Sequence, residues 1–256
     1  MLHVHSWGEP GAPVVVCLHG VYAHGRRFRR LAEERLARRF RVVAPDLRGH
    51  GRSEWEPPWD LDTHVADLLD TVDVAADWIG HSFGGRLVLE LAARAPERVR
   101  RIALLDPAIW VPPHIALERA ERDRVERAFA SPEEALESRV ATAPLAPRAA
   151  LEEEVAEHLV HSEDGRWRWR FSQASTIAAY GEMAKPPPDF GAIRSPTLLV
   201  RGAETEVVPE ALVDACREGW GGAFEVLTVP GGHIPLWDAF DETADAIERF
   251  LEDGRA

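Results

Sequence analysis

Ser82 stands at the centre of a G-x-S-x-G motif with one further glycine, Gly80-His81-Ser82-Phe83-Gly84-Gly85. Residues 72–79 before it have partly the pattern of a strand, and residues 86–94 after it carry apolar side chains on most faces of a helix. A serine on a tight strand-to-helix turn adopts a strained backbone conformation that pushes its hydroxyl out above the sheet. The unpaired N–H groups of such a helix stabilise negative charge near the serine. These features predict a nucleophilic Ser82 rather than a bystander in a glycine-rich turn.

A serine hydroxyl is a weak nucleophile at neutral pH, so it needs a base to take its proton and a third group to orient that base. His233 is the candidate base, because it follows the last strand pattern and lies at the sheet edge that faces Ser82. An imidazole has an unperturbed pKa of about 6.5, close to the operating pH. His19 and His81 are weaker candidates, since we expect their side chains to hold loops together.

Strand and helix patterns alternate around these residues. Apolar runs predict strands at 14–18, 41–46, 101–106 and 224–229, and a strand and turn at 196–202. Helical patterns occur at 26–39, where we expect the arginines to form a solvated face, and at 61–72. The alternation predicts an α/β fold with a mostly parallel, doubly wound sheet and helices on both faces.

The pattern changes in residues 107–189, which contain no convincing strand. We predict helices there at 114–130, 132–142, 147–161 and 169–183. One side of this segment is lipophilic. We expect most of the apolar side chains on that side to pack against the core and one or two to line a pocket. These side chains are Trp167, Trp169, Phe171, Ile177 and Tyr180.

Four motifs occur in an order known from one superfamily. They are His19-Gly20, Asp46-Leu47-Arg48-Gly49-His50-Gly51-Arg52-Ser53, the motif around Ser82, and Gly232-His233 near the end of the chain. On these motifs the chain resembles the α/β-hydrolase superfamily over nearly its whole length. The resemblance implies a hydrolase core of residues 1–106 and 190–256 and a helical cap of residues 107–189 over the active site. It also implies an oxyanion hole formed by the backbone N–H groups of Val21 and Phe83.

The acid that orients His233 is left open by the resemblance. Most members of the superfamily carry an aspartate three residues after the glycine that closes a late strand, where this chain has Thr205. Glu204 and Glu206 flank that place. A subset of the superfamily instead has the acid at the end of the strand that follows the helix after the nucleophile. Asp106 matches that position. We predict Asp106 as the acid, with Glu206 as the alternative and Glu204 behind it.

The resemblance implies a serine hydrolase that cleaves small to medium lipophilic carboxylic esters through an acyl-serine intermediate. A fold does not fix its reaction. Lactone opening, C–C bond hydrolysis and perhydrolysis by the same residues therefore stay open, as does a ligand-binding relative with slow turnover. The dehalogenases and epoxide hydrolases that this chain resembles carry aspartate at the position of Ser82. These two activities are therefore disfavoured. No cofactor is implied.

We expect no metal site, because the chain contains neither C-x-x-C nor H-E-x-x-H spacing. His3 and His5 are expected to decorate a first strand. The two cysteines, Cys17 and Cys216, do not resemble a disulfide framework, and Cys17 lies inside an apolar strand pattern where a small buried hydrophobe is expected.

Length and charge limit the classes of partner. The chain has 256 residues, enough for one large domain with a good core. Its formal net charge of −13 opposes binding to nucleic acid and to anionic membrane surfaces. Residues 1–7 lack a signal-peptide pattern, and no apolar run approaches the roughly 20 residues of a membrane span. We expect a cytoplasmic monomer or small homo-oligomer whose partner is a small-molecule ester.

The amide content is unusual. The chain has no asparagine and one glutamine, Gln173. Loss of thermolabile amides favours a thermostable protein, although a GC-rich genome would also remove asparagine. The corresponding expectation is a melting temperature above the mesophilic range of about 45–65 °C.

Overall fold

The computed structural model describes residues 1–253, so the last three residues of the predicted core lie outside the described residues. One seven-stranded sheet has the order β1-β3-β2-β4-β5-β8-β9. β1 is antiparallel to β3, and the other neighbouring pairs are parallel, which confirms the mostly parallel sheet. The strands of this sheet are β1 Val4–Trp7, β2 Val14–Leu18, β3 Arg41–Pro45, β4 Ala76–His81, β5 Val99–Leu105, β8 Thr197–Gly202 and β9 Phe224–Val229.

Helices cover both faces of the sheet and fill the segment between β5 and β8. Within residues 1–253, no helix is long and apolar enough to cross a lipid bilayer. The α-helices are α1 Arg29–Leu31, α2 Leu61–Thr71, α3 Phe83–Arg94, α4 Pro113–Arg122, α5 Pro132–Thr142, α6 Arg148–His158, α7 Gln173–Met183, α8 Glu210–Gly219, α9 Pro235–Asp238 and α10 Phe240–Glu252.

Successive strand residues enter two different hydrophobic clusters, because side chains alternate across a strand. Val16 and Leu18 of β2 pack in one cluster with residues of α2 and α3. Val15 and Cys17 of the same strand pack in the other with residues of α1 and α10. Cys17 is fully buried, and burial raises the pKa of its thiol, so it is the small buried hydrophobe that its sequence context predicts. The two-sided core holds the carboxyl ends of the parallel strands at one rigid edge.

The segment between β5 and β8 contains α4 to α7 and, against the prediction, a short hairpin. Its strands are β6 Leu159–His161 and β7 Trp167–Trp169, which pair in antiparallel fashion. Helix α6 therefore ends at His158 and α7 begins at Gln173, earlier and later than predicted. Leu159 and Trp169 lie opposite each other and pack with the distant Phe129. That contact buries the apolar side chains by long-range pairing, which local helical periodicity does not reveal.

The predicted helix at 26–39 is also divided. A 3₁₀ turn at Gly25–Phe28 leads into α1 and then into a π-helical turn at Ala32–Leu36. The prediction of a solvated face is wrong for Arg27, whose side chain is 10% exposed and pairs with Glu154 of α6. Arg35 stays at the surface, where it pairs with the exposed Asp245 of α10. These ion pairs bind the segment to two other helices.

Candidate active site

Ser82 occupies the turn between β4 and α3, as the motif predicts. Its backbone has φ of +53° and ψ of −120°, a conformation that L-residues rarely adopt. The glycines that flank Ser82 are required because there is no room for a side chain at either position. A Cβ on Gly80 would lie 2.6 Å from the carbonyl oxygen of Gly84, and a Cβ on Gly84 would lie 2.3 Å from that of Leu18. The turn therefore holds the serine side chain rigidly above the sheet.

The side chains of Ser82, His233 and Asp106 form one hydrogen-bonded series. His233 Nδ1 lies 2.6 Å from Asp106 Oδ2, and His233 Nε2 lies 2.9 Å from Ser82 Oγ. An ionised carboxylate only accepts, so Nδ1–H donates to Asp106 and the neutral Nε2 accepts from the serine hydroxyl. Asp106 is fully buried, whereas the His233 side chain is 37% exposed. This arrangement can move a proton from Ser82 to His233.

The carboxylate that the structure brings to His233 is that of Asp106. It follows β5 with φ of +42°, and its backbone N–H donates to the carbonyl of Val200 at 2.7 Å. Glu204 and Glu206 lie in the loop after β8, and both are exposed. Of the three candidate acids, Asp106 alone makes a hydrogen bond to His233 among the described residues.

Thr205 contributes to the site in a way that the sequence analysis missed. Its Oγ1 donates to Asp106 Oδ2 at 2.6 Å and accepts from the backbone N–H of Val207 at 3.1 Å. The Val207 N–H thus directs the hydroxyl proton toward the carboxylate. The sequence signal was the place of Thr205 three residues after Gly202, which we noted only as a missing aspartate.

The loop after β2 passes close to Ser82. A Cβ on Gly20 would lie 2.8 Å from the Ser82 Cβ, so only glycine allows this approach. The next residue is Val21, and Phe83 is the first residue of α3. Both expected oxyanion-hole residues therefore border the serine, one through the neighbouring loop and one along the chain.

His19 and His81 hold loops in place, as expected. His19 Nδ1 bonds to the carbonyl of Gly20 at 2.8 Å, and its Nε2 accepts from the N–H of Leu47 at 2.9 Å. His81 Nε2 bonds to the carbonyl of His233 at 2.8 Å. Burial lowers the pKa of both rings well below the usual range. Each stays neutral at pH 7 and positions a loop.

Side chains from the segment between β5 and β8 close over the loop after β2. The hydroxyl of Tyr22 donates to Asp123, which follows α4, and lies 2.7 Å from the hydroxyl of Tyr180 in α7. Tyr22 also meets the ring of Phe171 edge-on, with 5.4 Å between ring centroids. Burial raises the pKa of Tyr22 far above its usual range. Ser82 itself is 6% exposed.

Known proteins share this architecture. A family model described as the alpha/beta hydrolase fold matches residues 13–240. The chain is 36% identical over 249 residues to the lipase LipV of Mycobacterium tuberculosis, covering 91% of each protein. It is 27% identical over 249 residues to the esterase YbfF of Escherichia coli, covering 93% of each.

Solved structures agree on the fold. The structure of E-2-(acetamidomethylene)succinate hydrolase superposes with a TM-score of 0.86 at 24% identity, covering 98% of this chain and 95% of that one. The enol-lactonase of Burkholderia xenovorans superposes with a TM-score of 0.77 at 22% identity, covering 98% and 96%. With the match over most of its length, the chain belongs to the α/β-hydrolase fold family, and its lipase- and esterase-named relatives support an ester hydrolase.

Proposed function

We propose that this protein hydrolyses carboxylic esters through an acyl-serine intermediate on Ser82. The observation that carries the proposal is the hydrogen-bonded series from Ser82 Oγ through His233 to Asp106, with distances of 2.9 and 2.6 Å. Nucleophile, base and orienting acid are within hydrogen-bond reach of each other, the geometry that nucleophilic catalysis by serine requires.

In the first half of the reaction, Ser82 Oγ attacks the ester carbonyl carbon while His233 Nε2 takes the hydroxyl proton. The carbonyl oxygen gains a negative charge, which the backbone N–H groups of Val21 and Phe83 stabilise. Asp106 stabilises the imidazolium through Nδ1–H. The tetrahedral intermediate collapses, the C–O bond to the alcohol breaks, and His233 returns the proton to the leaving oxygen.

In the second half, His233 Nε2 takes a proton from water as the water oxygen attacks the acyl carbon. The bond to Ser82 Oγ breaks, the acid leaves, and the proton returns to the serine. Each half needs a neutral His233 and a fixed ring orientation, so Asp106 acts in both.

A lipophilic acyl or alcohol group of small to medium size suits the surroundings of the serine. Val21 and Tyr22 are partly exposed and pack on the same hydrophobic cluster as Phe83. Phe171 lies against Tyr22 from the segment above. The net charge of −13 disfavours polyanionic substrates.

Steady-state hydrolysis of p-nitrophenyl acetate, butyrate and octanoate tests the proposal. We expect turnover by the wild type, loss of at least about 10³-fold in kcat for Ser82→Ala, and unchanged turnover for Ser138→Ala in α5. The trend with chain length measures the size of the acyl site. Negligible turnover in the wild type would refute the ester assignment and direct the search to lactones, C–C bonds, peroxide or a binding role.

A further inference from the structure

A second group of chemically reactive side chains lies at the edge of the sheet, just before β1, on β1 and after β3. His3, His5 and Asp46 each offer one ligand atom, and these atoms all lie within 4.8 Å of one another. The rings of His3 and His5 are 4.9 Å apart between centroids. In the sheet order, β3 and β2 separate β1 from β4, which precedes Ser82. The group is therefore separate from the Ser82, His233 and Asp106 series.

Strand geometry explains why these residues converge. Side chains two residues apart on extended backbone point to the same face. His3 immediately precedes β1 and His5 lies on it, so the His-x-His pair presents both imidazoles together. β1 pairs with β3 in the register Val4↔Pro45, and the N–H of Asp46 donates to the carbonyl of His3 at 2.9 Å. Asp46 thus lies opposite His3, on the neighbouring strand end.

We propose that His3, His5 and Asp46 bind one divalent transition-metal ion of the zinc type. Two imidazoles and one carboxylate are a donor set that such ions take, with solvent in the remaining position. Tetrahedral bonds of about 2.0–2.2 Å put ligand atoms about 3.4 Å apart. The three atoms, now within 4.8 Å of one another, therefore approach by up to about 1.4 Å when the ion binds. The expectation of no metal site rested on C-x-x-C and H-E-x-x-H spacings and is replaced here, because the third ligand is 41 residues from His5 in the chain.

The carboxylate of Asp46 is held in place before any ion binds. Its side chain is 2% exposed. Oδ1 accepts from the N–H of Gly25 at 2.8 Å, and Oδ2 accepts from the N–H of Arg52 at 2.8 Å. Such outer hydrogen bonds orient a ligating carboxylate and lower the cost of assembling the site.

The ion takes a position that a proton now bridges. His5 Nε2 lies 3.2 Å from Asp46 Oδ1, in a hydrogen bond. On binding, Nε2 gives up the proton that it shares with Asp46 to solvent, and Nδ1 takes one from solvent, so the ring stays neutral and its Nε2 lone pair bonds to the metal. The Asp46 Oδ1 lone pair that accepted this N–H then bonds to the metal instead.

Access and charge also permit binding. The side chains of His3 and His5 are partly exposed, and a narrow crevice lined in part by His5, Asp46 and Arg52 reaches the surface. Three arginines, Arg26, Arg52 and Arg170, line the same crevice and oppose the ion. The carboxylate of Glu157 lies 3.4 Å from Arg26 and 3.9 Å from Arg52 and offsets part of that charge.

A bound ion would join β1 to the loop that begins at Asp46. The N–H of the next residue, Leu47, is bonded to His19 in the loop beside Ser82. We therefore expect the ion to raise the melting temperature of the folded chain, because it binds the folded state and not the unfolded one. The proposal does not depend on the reaction at Ser82.

The test uses tag-free, full-length protein freed of metal with a chelator. Equilibrium dialysis with Zn²⁺ gives the stoichiometry, Co²⁺ gives a visible ligand-field spectrum, and calorimetry gives the melting temperature with and without Zn²⁺. The variants are His3→Ala and His5→Ala, which spare the buried Asp46. His114→Ala, an exposed histidine of α4, is the matched control. His233→Ala separates this site from the exposed ring beside Ser82.

We expect one tightly held equivalent in the wild type, His114→Ala and His233→Ala, with a Co²⁺ spectrum and a raised melting temperature. His3→Ala and His5→Ala should each weaken binding at least about 10-fold and lose the melting-temperature shift while keeping wild-type ester turnover. No binding in the wild type would overturn the proposal. So would undiminished binding in both His3→Ala and His5→Ala, or loss of binding only in His233→Ala.

Discussion

At the scale of single residues, Asp106 carries a role that neighbouring carboxylates do not share. Its Oδ2 meets His233 Nδ1 at 2.6 Å, whereas Glu206 is exposed. An amide in place of the carboxylate would favour the wrong tautomer of His233, and in serine hydrolases this change lowers kcat by about 10⁴-fold. We expect Asp106→Asn to lose about 10³- to 10⁴-fold in kcat on p-nitrophenyl butyrate. Glu206→Gln, the matched control, should stay within about twofold, and the reverse result would make Glu206 the acid.

Thr205 is a positioning residue, because it acts through Asp106. Its hydroxyl donates to the same Oδ2 that accepts from His233. Thr205→Val keeps the shape of the side chain and removes this charge-assisted hydrogen bond, which is worth about 1.5–3 kcal/mol. We expect kcat to fall about 10-fold with little change in KM, since Thr205 acts through Asp106.

Thr205→Ser is the conservative control, and it should restore kcat to within about threefold of the wild type. A wild-type kcat in Thr205→Val would contradict the positioning role. A rise in KM with kcat unchanged would instead place the side chain at the substrate.

Prediction from sequence succeeded at residues whose motif fixes their place. Gly80 and Gly84 are required by contacts that a Cβ would violate, so the motif itself identifies the turn at Ser82. It was incomplete at Thr205 and between Asp106 and Glu206. Those roles depend on which strand ends meet at the carboxyl edge of the sheet. The distances from His233 to Asp106 and from Asp106 to Thr205 are set by the folded structure, and no local pattern in the sequence encodes them.

At the scale of elements, a buried ion pair joins the sheet domain to the segment between β5 and β8. Glu154 of α6 is 2% exposed in its side chain, and it accepts from Arg27 of the 3₁₀ turn and from Arg139 of α5. Glu154→Gln would leave two guanidinium groups without their anion. Breaking a buried pair in this way lowers the free energy of unfolding by about 3–5 kcal/mol.

The adjacent Glu153 provides the control. Its side chain is 33% exposed, and it pairs with Arg29 at the surface, so Glu153→Gln should cost about 0–1 kcal/mol. Urea denaturation at pH 7 measures both. Equal losses in the two variants would show that Glu154 does not bind these elements together.

Element boundaries were predictable where apolar periodicity is local. The strands at 14–18 and 224–229 have the bounds predicted for them. The hairpin of β6 and β7 was missed, because Trp169 gains its partner Phe129 from 40 positions away and not from its own helix turn. The helix predicted at 26–39 is divided into 3₁₀, α and π turns, and its Arg27 turns inward toward Glu154, a partner that local periodicity does not reveal.

At the scale of the whole molecule, neutral buried histidines link folding to pH. Burial lowers the pKa of His24, His50 and His64 to about 4 each. Above about pH 6.5 these rings are neutral in the folded and the unfolded chain. Between about pH 6.5 and 4 the unfolded chain binds protons that the folded chain does not. Stability therefore falls as pH falls, by about 2 kcal/mol per histidine at pH 5.

We expect the melting temperature to fall between pH 7 and pH 5, and to fall less steeply in His64→Phe. The substitution keeps the edge-on contact of His64 with Phe83, and Nδ1 of His64 is buried without a hydrogen-bond partner among the described residues. His114→Phe, at an exposed position, should keep the wild-type slope. An identical slope in His64→Phe and the wild type would contradict the linkage.

The central claim is that Ser82 forms the covalent intermediate, and labelling with a fluorophosphonate tests it most directly. The reagent forms a P–O bond with an activated serine and releases fluoride. Intact-mass measurement and peptide mapping are run beside residual turnover of p-nitrophenyl butyrate. We predict one adduct per chain, on Ser82, with turnover lost in proportion to the labelled fraction and no adduct in Ser82→Ala. Full turnover in chains completely labelled at Ser82, or loss of turnover through an adduct at another residue, would contradict the account.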